Sequence, residues 1–184
     1  MIVRQMLIGD NLYNIDEYTI GADPTDTDTD NDGLNDKLEF LNGSDPNDTD
    51  TDNDGWDDYF EVYTSGTDPA DADTDNDGIS DKTEYNWWLN TYGQSSSSAY
   101  SKIKDYDADN DGLSDGWEKN NGINPLDNDC DNDGLLDGLE VNNYQTNPEN
   151  PDTDGDGYTD LYEIINGYDP NDPNSKPGGG GWGW

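Results

Sequence analysis

Residues 50–61 read DTDNDGWDDYFE, and they decide the fold because their pattern, D-x-D-x-D-G-x-x-D-x-x-E, occurs six times in the chain. The six copies begin at residues 28, 50, 73, 107, 129 and 152, so successive copies start 22, 23, 34, 22 and 23 residues apart. A nearly fixed period of this length is typical of repeat architectures, in which each unit packs on its neighbours. We therefore interpret the chain as an array of short units, each built around one acidic loop.

The acidity of the chain limits the partners it can bind. It holds 45 acidic residues against 7 basic ones, has a formal net charge of -38, and only 28% of its residues are hydrophobic. Such a chain cannot collapse around an apolar core without help. The regular register of the acids favours a fold stabilised by cations over disorder. The charge excludes direct binding to nucleic acid or to an anionic membrane, and no apolar run is long enough to predict a membrane span.

Each loop offers oxygen ligands at a spacing that suits a calcium ion. Calcium binds about six to eight oxygens in flexible geometry. The loop supplies carboxylates at positions 1, 3 and 5, the backbone carbonyl of position 7, an Asp at position 9 that acts directly or through water, and a bidentate Glu at position 12. Gly at position 6 permits the sharp turn. The predicted ligands are Asp28, Asp30, Asp32, Leu34, Asp36 and Glu39 (loop 1); Asp50, Asp52, Asp54, Trp56, Asp58 and Glu61 (loop 2); Asp73, Asp75, Asp77, Ile79, Asp81 and Glu84 (loop 3); Asp107, Asp109, Asp111, Leu113, Asp115 and Glu118 (loop 4); Asp129, Asp131, Asp133, Leu135, Asp137 and Glu140 (loop 5); and Asp152, Asp154, Asp156, Tyr158, Asp160 and Glu163 (loop 6).

Other metals and other chemistries fit this residue set less well. Zinc prefers Cys and His ligands, and the chain has one Cys and no His. Magnesium demands a tighter octahedral site. An enzyme is not expected, because the carboxylates that could act as acids or bases are already committed as ligands. The repeats therefore predict about six Ca²⁺ ions, and a chain that is expanded or unfolded without them, because here metal binding and folding are one process.

A further acid or amide stands two residues before each loop. These residues could hold a second ion in each unit, which would raise the total to as many as twelve, or they could cap the loop. The residues are Asp26, Asp48, Asp71, Asp105, Asp127 and Asn150.

The segment after each loop predicts a short helix and then a tight bend. Outside the long gap between loops 3 and 4, only 10 or 11 residues separate a closing Glu from the next loop. Turn sequences such as NGSDP and INGYDP prevent a helix from running into the next loop. Loop positions 7, 11 and 14 form an apolar stripe at helical spacing, which predicts two or three buried side chains in each unit. The stripe residues are Leu34, Leu38 and Leu41, then Trp56, Phe60 and Tyr63, and later Tyr158, Tyr162 and Ile165.

These features together predict the fold class. We expect a mostly irregular, calcium-stapled repeat rod or solenoid with short helical turns after each loop, and little β-structure except at the N-terminus. A paired helix-loop-helix arrangement is excluded because there is no room for an entering helix.

The sequences GADPTDTDTDNDGLND and GSDPNDTDTDNDGWDD resemble the thrombospondin type 3 repeats of bacterial and archaeal surface proteins. The resemblance covers about residues 21–170, with one interruption. It implies an extracellular, calcium-dependent, non-enzymatic protein that forms stiff rods or spacers. The cysteines of the animal versions are missing, so their disulfides are not implied.

Five segments follow from the pattern. Residues 1–20 hold an apolar segment and a degenerate cap repeat with Glu17 in the twelfth position, residues 21–84 hold loops 1–3, residues 85–104 form an aromatic and Ser-rich insertion, residues 105–170 hold loops 4–6, and residues 171–184 form a Gly- and Trp-rich tail. We expect head-to-tail self-association into a surface fibre through the N-terminal segment or the tail. The alternatives are a monomeric rigid spacer and a carbohydrate-binding adhesin module that uses Trp87 and Trp88.

Two minor features remain open in the sequence. Asn42 and Asn47 stand in possible glycosylation sequons, each of which can also arise by chance in a chain rich in Asn, Ser and Thr. Cys130 is either a spacer between two ligands or the site of an intermolecular disulfide.

Overall fold

A helical turn follows every acidic loop, as the sequence predicts. The computed structural model describes residues 13–178, and that part of the chain contains helices and turns but no strand. The predicted N-terminal β-structure falls in residues 1–12 and therefore lies outside the described residues. The helices are α1 (Asn14–Ile20), α2 (Asp36–Asn42), α3 (Asp58–Phe60), α4 (Asp81–Thr91), α5 (Ser96–Lys102), α6 (Asp115–Asn121), α7 (Asp137–Leu139) and α8 (Asp160–Asn166), with π-helical turns π1 (Glu61–Ser65) after α3 and π2 (Glu140–Tyr144) after α7.

Local sequence sets both ends of these helices. In the first complete unit, the side chain of Asn35 accepts the backbone N–H of Leu38 and caps the start of α2. The helix ends at Gly43, whose φ of 89° is in the left-handed region and whose N–H donates to the carbonyl of Glu39. Two turns of helix therefore fit between loop and bend, which confirms that the units have no room for paired helices.

The π-helical turns explain why the repeat period alternates between 22 and 23 residues. Loop 1 and loop 4 are followed by regular seven-residue helices, whereas the longer units after loops 2 and 5 contain π1 and π2. The extra residue widens the helix and delays its end by one position, to Gly66 and Gln145. The closing Glu therefore keeps its place relative to the loop in units of either length.

The predicted apolar stripe is only partly buried. Leu34 at position 7 is fully buried, but Leu41 at position 14 is 65% exposed, and its equivalents Tyr63 and Ile165 are exposed as well. The expectation of two or three buried apolar side chains in each unit was therefore wrong for position 14. The reason is that acids occupy the interior of each unit: the Asp at position 9 and the Glu at position 12 are fully or almost fully buried in all six units.

The insertion forms a helical pair with its own aromatic interior. Helix α4 starts in loop 3, continues to Thr91 without the usual Gly stop, and packs on α5. Trp88 is completely buried and Trp87 lies against it, with 4.8 Å between ring centroids. A completely buried ring cannot stack on a sugar, so the alternative in which Trp88 binds carbohydrate was wrong.

The first described helix resembles the helices that follow the complete loops. Helix α1 ends at Gly21 with φ 88°, and Glu17 is buried like the closing Glu of the complete loops. The chain divides into two compact units, with the division between Asp105 and Tyr106. The first holds loops 1–3 and the insertion, and the second holds loops 4–6. Trp182 and Trp184 of the predicted tail lie outside the described residues.

We expect Gln145→Gly to stabilise the second compact unit, which holds loops 4–6. Gln145 ends π2 with φ 59°, a left-handed conformation that costs a side-chain-bearing residue free energy, whereas Gly66 occupies the equivalent place in the unit of loop 2. The substitution should raise the free energy of unfolding by roughly 0.5–1 kcal/mol, since part of the gain is offset by the entropy of the unfolded glycine. Thermal unfolding in saturating calcium measures the effect.

The reciprocal variant Gly66→Gln is the matched control. It should lower the unfolding midpoint of the first compact unit by at least a similar amount, because a Cβ at this position also comes within 3.2 Å of Lys104 Nζ. A lower midpoint for Gln145→Gly would contradict this account of the π-helical turns.

Candidate metal centre

The aspartates at positions 1, 3 and 5 converge in each loop. In five loops the structure brings one carboxylate oxygen from each of the three to within 4.8 Å of the others. These groups are Asp28, Asp30 and Asp32; Asp50, Asp52 and Asp54; Asp73, Asp75 and Asp77; Asp107, Asp109 and Asp111; and Asp129, Asp131 and Asp133. Loop 6 has the same internal hydrogen bonds, with Asp156 N–H donating to both Asp152 and Asp154. The structure thus brings together the carboxylates that the sequence assigned to one ion.

Backbone N–H groups hold these carboxylates in place. In loop 3, Gly78 N–H donates to Asp73 Oδ2 at 2.9 Å, Asp77 N–H donates to Asp75 Oδ1 at 3.1 Å, and Ile79 N–H donates to Asp77 Oδ1 at 2.7 Å. The turn also needs left-handed backbone at positions 4 and 6, which Asn76 and Gly78 supply. Asn occupies position 4 in loops 1–5 and Gly155 replaces it in loop 6, a sequence signal for the turn that the ligand pattern alone does not use.

Buried carboxylate oxygens without a hydrogen-bond donor mark the place for a cation. In loop 1 these are Asp28 Oδ1, Asp30 Oδ2 and both oxygens of Glu39. Both oxygens of Glu118 and of Glu163 are in the same state. Since buried acceptors normally have a donor, this set of orphaned oxygens fits a cation with oxygen ligands, and the residues that would hold it are those of the predicted loops.

Crowding of these acids is visible in their pKa values. Burial, together with the charges of nearby aspartates, raises the pKa of Glu61 and that of Glu118 to about 9. The pKa of Glu39 rises to about 8 for the same reasons. Burial likewise raises the pKa of Asp75 to about 7. Protonation relieves the repulsion in the absence of a metal, and a divalent cation would relieve it at neutral pH.

The Asp at position 9 has a second role that the sequence did not reveal. In loop 3, Asp81 accepts the backbone N–H of Thr74 at 3.0 Å through Oδ1 and its hydroxyl at 2.7 Å through Oδ2. Asp81 N–H in turn donates to the carbonyl of Ala72 at 2.9 Å. The side chain therefore links the start of loop 3 to the start of α4 by two hydrogen bonds. Its direct or water-mediated ligation of an ion stays a prediction.

The threonine at position 2 is the residue that sequence reasoning missed. Its hydroxyl donates to the position 9 carboxylate and accepts the N–H of the upstream turn, as Thr51 does from Asp45 at 2.8 Å. The signal was the repeated DTD at the loop start. The four threonines are Thr29, Thr51, Thr74 and Thr153, and Ala108 and Cys130 replace them in loops 4 and 5. Cys130 is half-buried and its N–H donates to Asp137 at 2.9 Å, which agrees with a spacer between ligands.

In loops 1, 2, 4 and 5 the Asp at position 5 connects the loop to the next repeat unit. Asp32 Oδ2 accepts the backbone N–H of Tyr59 at 2.9 Å, while its Oδ1 accepts Leu34 N–H within its own loop. The same bond recurs from Lys82 to Asp54 at 2.8 Å. In the second compact unit it joins Gly138 to Asp111 at 2.7 Å and Leu161 to Asp133 at 2.9 Å. One carboxylate thus lines the candidate ion site and fixes the neighbouring helix.

Residues 169–176 repeat the entrance of a unit after loop 6. Asp169 N–H donates to the hydroxyl of Ser175 at 2.9 Å, as the upstream turn does to a loop threonine in the complete units. Lys176 stands where a third-position Asp would be, and its Nζ lies 3.6 Å from the buried Oδ2 of Asp156. The first part of the predicted tail therefore follows the repeat, with an ammonium group against the last loop.

The residues that precede each loop take part in turns. In all six, the backbone N–H donates to the carbonyl three residues earlier, as Asp26 does to Asp23 at 2.9 Å, and the five aspartates are exposed. This placement agrees with capping, and the second ion stays a prediction. Asn42 and Asn47 are both exposed, but the amide of Asn47 donates to the carbonyl of Gly21 at 3.2 Å and so joins two units. A glycan on Asn47 would compete with that contact.

Comparison with known proteins identifies the repeat. The family described as Bacterial TSP3 repeat matches residues 28–49, 50–72, 73–86, 107–128, 129–151 and 152–173, which together span more than half of the chain. The chain belongs to this family. The six matches begin at the first Asp of the six loops, and the predicted resemblance to thrombospondin type 3 repeats is confirmed. No curated protein and no solved structure gave a significant match.

We expect the metal-free chain to be more ordered at pH 5 than at pH 8. The pKa of Glu61 is raised from 4.5 to about 9 in the fold, so the folded state holds a proton that the unfolded state releases as the pH rises through that interval. The free energy of unfolding should therefore fall between about pH 4.5 and pH 9. Circular dichroism and thermal unfolding of calcium-depleted protein across this range measure it.

With saturating calcium the dependence should reverse, because protons then compete with the ion for the same oxygens. Stability of the depleted protein that rose with pH would contradict the proposed crowding of buried carboxylates.

Proposed function

We propose that the chain is a structural calcium-binding protein in which the ions replace a hydrophobic core. The observation that carries this proposal is the closing Glu, which is fully buried in all six units and has an orphaned oxygen in loops 1, 2, 4, 5 and 6. Leaving such an oxygen buried without a partner is costly. An ion inside the loop removes that cost and joins the start of the unit to its helix.

The donor set supports calcium as the ion. The side chains at the candidate sites are all carboxylates, which are hard oxygen ligands, and each loop supplies five of them. One divalent ion leaves a charge of about -3 for each loop, so the neighbouring loops continue to repel one another and the array gains from every ion bound. We propose about six ions, one for each loop.

A structural role is supported better than a sensor role. Sensor loops sit between paired helices that open and expose a groove when calcium binds. In residues 13–178 each loop is followed by a short helix but is not preceded by one, except that α5 ends before loop 4. An ion here would join the start of a loop to the helix that follows it. It would also order the position 5 Asp, which binds the helix of the next unit.

We place the protein outside the cell. Calcium is abundant there, and sites of moderate affinity are filled. Among residues 13–178, no helix has the length and apolar character needed to cross a bilayer.

Calorimetric titration of depleted protein with calcium should give six ions, accompanied by a gain of helical circular dichroism. Glu61→Gln should lower the count by one, because the closing ligand of loop 2 loses its charge. Magnesium at the same concentrations is the control and should give neither the binding heat nor the helical gain. A count near twelve would assign ions to the residues that precede the loops, and a depleted chain with an unchanged spectrum would contradict the structural role.

We propose further that copies of the chain associate head to tail into a fibre at the cell surface. The supporting feature is the sequence outside the repeats: an apolar stretch in residues 1–8 and the Gly-rich tail with Trp182 and Trp184. A contact between two different segments of neighbouring copies is head-to-tail, and it builds a filament where the rotation between copies does not close a ring.

Electron microscopy in calcium should show long assemblies of the native chain. Trp182→Ser combined with Trp184→Ser should leave single particles, while Trp117→Phe, which alters an aromatic residue within the repeats, should not prevent assembly. Single short particles of the unaltered chain at high calcium would support a monomeric spacer instead.

A further inference from the structure

The closing Glu of loop 3 accepts a hydrogen bond from a different donor than its counterparts in loops 2 and 5. In loop 2 the hydroxyl of Thr67 donates to Glu61 Oε1 at 3.0 Å, and in loop 5 the hydroxyl of Thr146 donates to Glu140 Oε1 at 3.0 Å. Each threonine stands six residues after its glutamate, in the bend that follows the π-helical turn. In the unit of loop 3 the sixth residue is Asn90, which is exposed.

Trp88 supplies the missing donor from inside the insertion. Its indole Nε1–H donates to Glu84 Oε1 at 2.6 Å, and both side chains are completely buried. This arrangement exists because α4 continues past the point where the other helices end, so that a residue one helical turn after Glu84 lies beside its carboxylate. The insertion thus reaches the candidate ion site with one hydrogen bond.

The chemistry of the indole suits this task. An indole N–H can donate but cannot accept, so it fixes a carboxylate in its ionised form and occupies one chosen oxygen. A hydrogen bond to an ionised group is shorter and stronger than one between neutral groups. Partners that orient a metal ligand commonly contribute 10–100-fold to metal affinity.

The insertion in turn fixes the indole. Ring centroids of Trp87 and Tyr92 lie 4.8 Å and 5.2 Å from that of Trp88. The ammonium group of Lys102, on α5, lies 5.9 Å from the ring centroid of Trp88. The backbone N–H of Gln94, just after α4, donates to the Trp88 carbonyl at 3.2 Å. The ring is therefore contacted by residues of α4, of the turn after it and of α5.

We propose that Trp88 is a positioning residue of the loop 3 calcium site, through which the insertion sets the affinity of that one site. The proposal rests on the calcium binding proposed above. It gives residues 85–104 a role that the repeat pattern does not assign, since the insertion orders together with the third ion. Loop 2 keeps its own donor, Thr67, and the closing Glu of loop 1 has no donor to either oxygen, so neither site depends on the indole.

Calcium titration in competition with a chromophoric chelator tests the proposal on the full chain. Trp88→Phe should weaken one of the six sites by about tenfold or more and leave the other five unchanged. Tyr100→Phe is the matched control, because it alters an aromatic side chain of the same insertion whose ring stacks on Tyr85, and it should leave all six affinities within about twofold. Combining Trp88→Phe with Glu84→Gln should add nothing to the loss caused by Glu84→Gln alone, as expected for two residues that act through one site.

A second replacement separates the hydrogen bond from the packing of the ring. Benzothienylalanine at position 88 keeps the shape of the indole but has sulfur in place of the N–H, and it should weaken the same site as Trp88→Phe does. Native affinity with this analogue, or six unchanged sites in Trp88→Phe, would overturn the proposal. An unaltered chain that bound no calcium would overturn the proposed function as well, and the titration of that chain distinguishes the two failures.

Discussion

The electrostatic cost of burying carboxylates is the constraint on which the rest of the structure depends. Each unit places the acids of positions 9 and 12 completely inside, where an ordinary protein places apolar side chains. Ionised groups in such a place must be paired or must coordinate a metal. The backbone supplies part of the compensation through the N–H groups of the loop. The remaining oxygens, such as both of Glu39, have no donor and therefore require a cation.

The carboxylates at positions 5 and 9 of a unit each serve two purposes, and they connect neighbouring units without an apolar core. Asp54 lines its loop with one oxygen, bonded to Trp56 N–H, and holds the next helix with the other, bonded to Lys82 N–H. Asp58 accepts the N–H and the hydroxyl of Thr51 at the loop entrance. Burial raises the pKa of Asp30 in the preceding site to about 6, and the charges of nearby aspartates, including Asp58, contribute to this rise. Neighbouring units therefore share both hydrogen bonds and electrostatic stress, as expected of a repeat array stabilised by nearest-neighbour contacts.

Variation between the units is accommodated after the closing Glu and leaves the loop unchanged. One extra residue becomes a π-helical turn, as at Glu61–Ser65, and the larger insertion becomes the α4–α5 pair. In the units of loops 2, 3 and 5 a donor still reaches the carboxylate of the closing Glu, first a threonine hydroxyl and then an indole. The position of that Glu relative to its loop is what the chain conserves across units of different length.

The sequence alone determined the repeat, its register and the candidate ligands, because an ion site formed by one continuous loop depends only on spacing along the chain. It also determined the short helices and their ends, since caps and left-handed glycines are local effects. Only the tertiary structure decided which side chains are buried. Leu41 satisfies the helical stripe but is exposed, because the interior beside it is already filled by acids. The roles of Asp32 and Trp88 were likewise decided by contacts with groups that no loop pattern contains: a backbone N–H of the next unit and a carboxylate reached only through a longer helix.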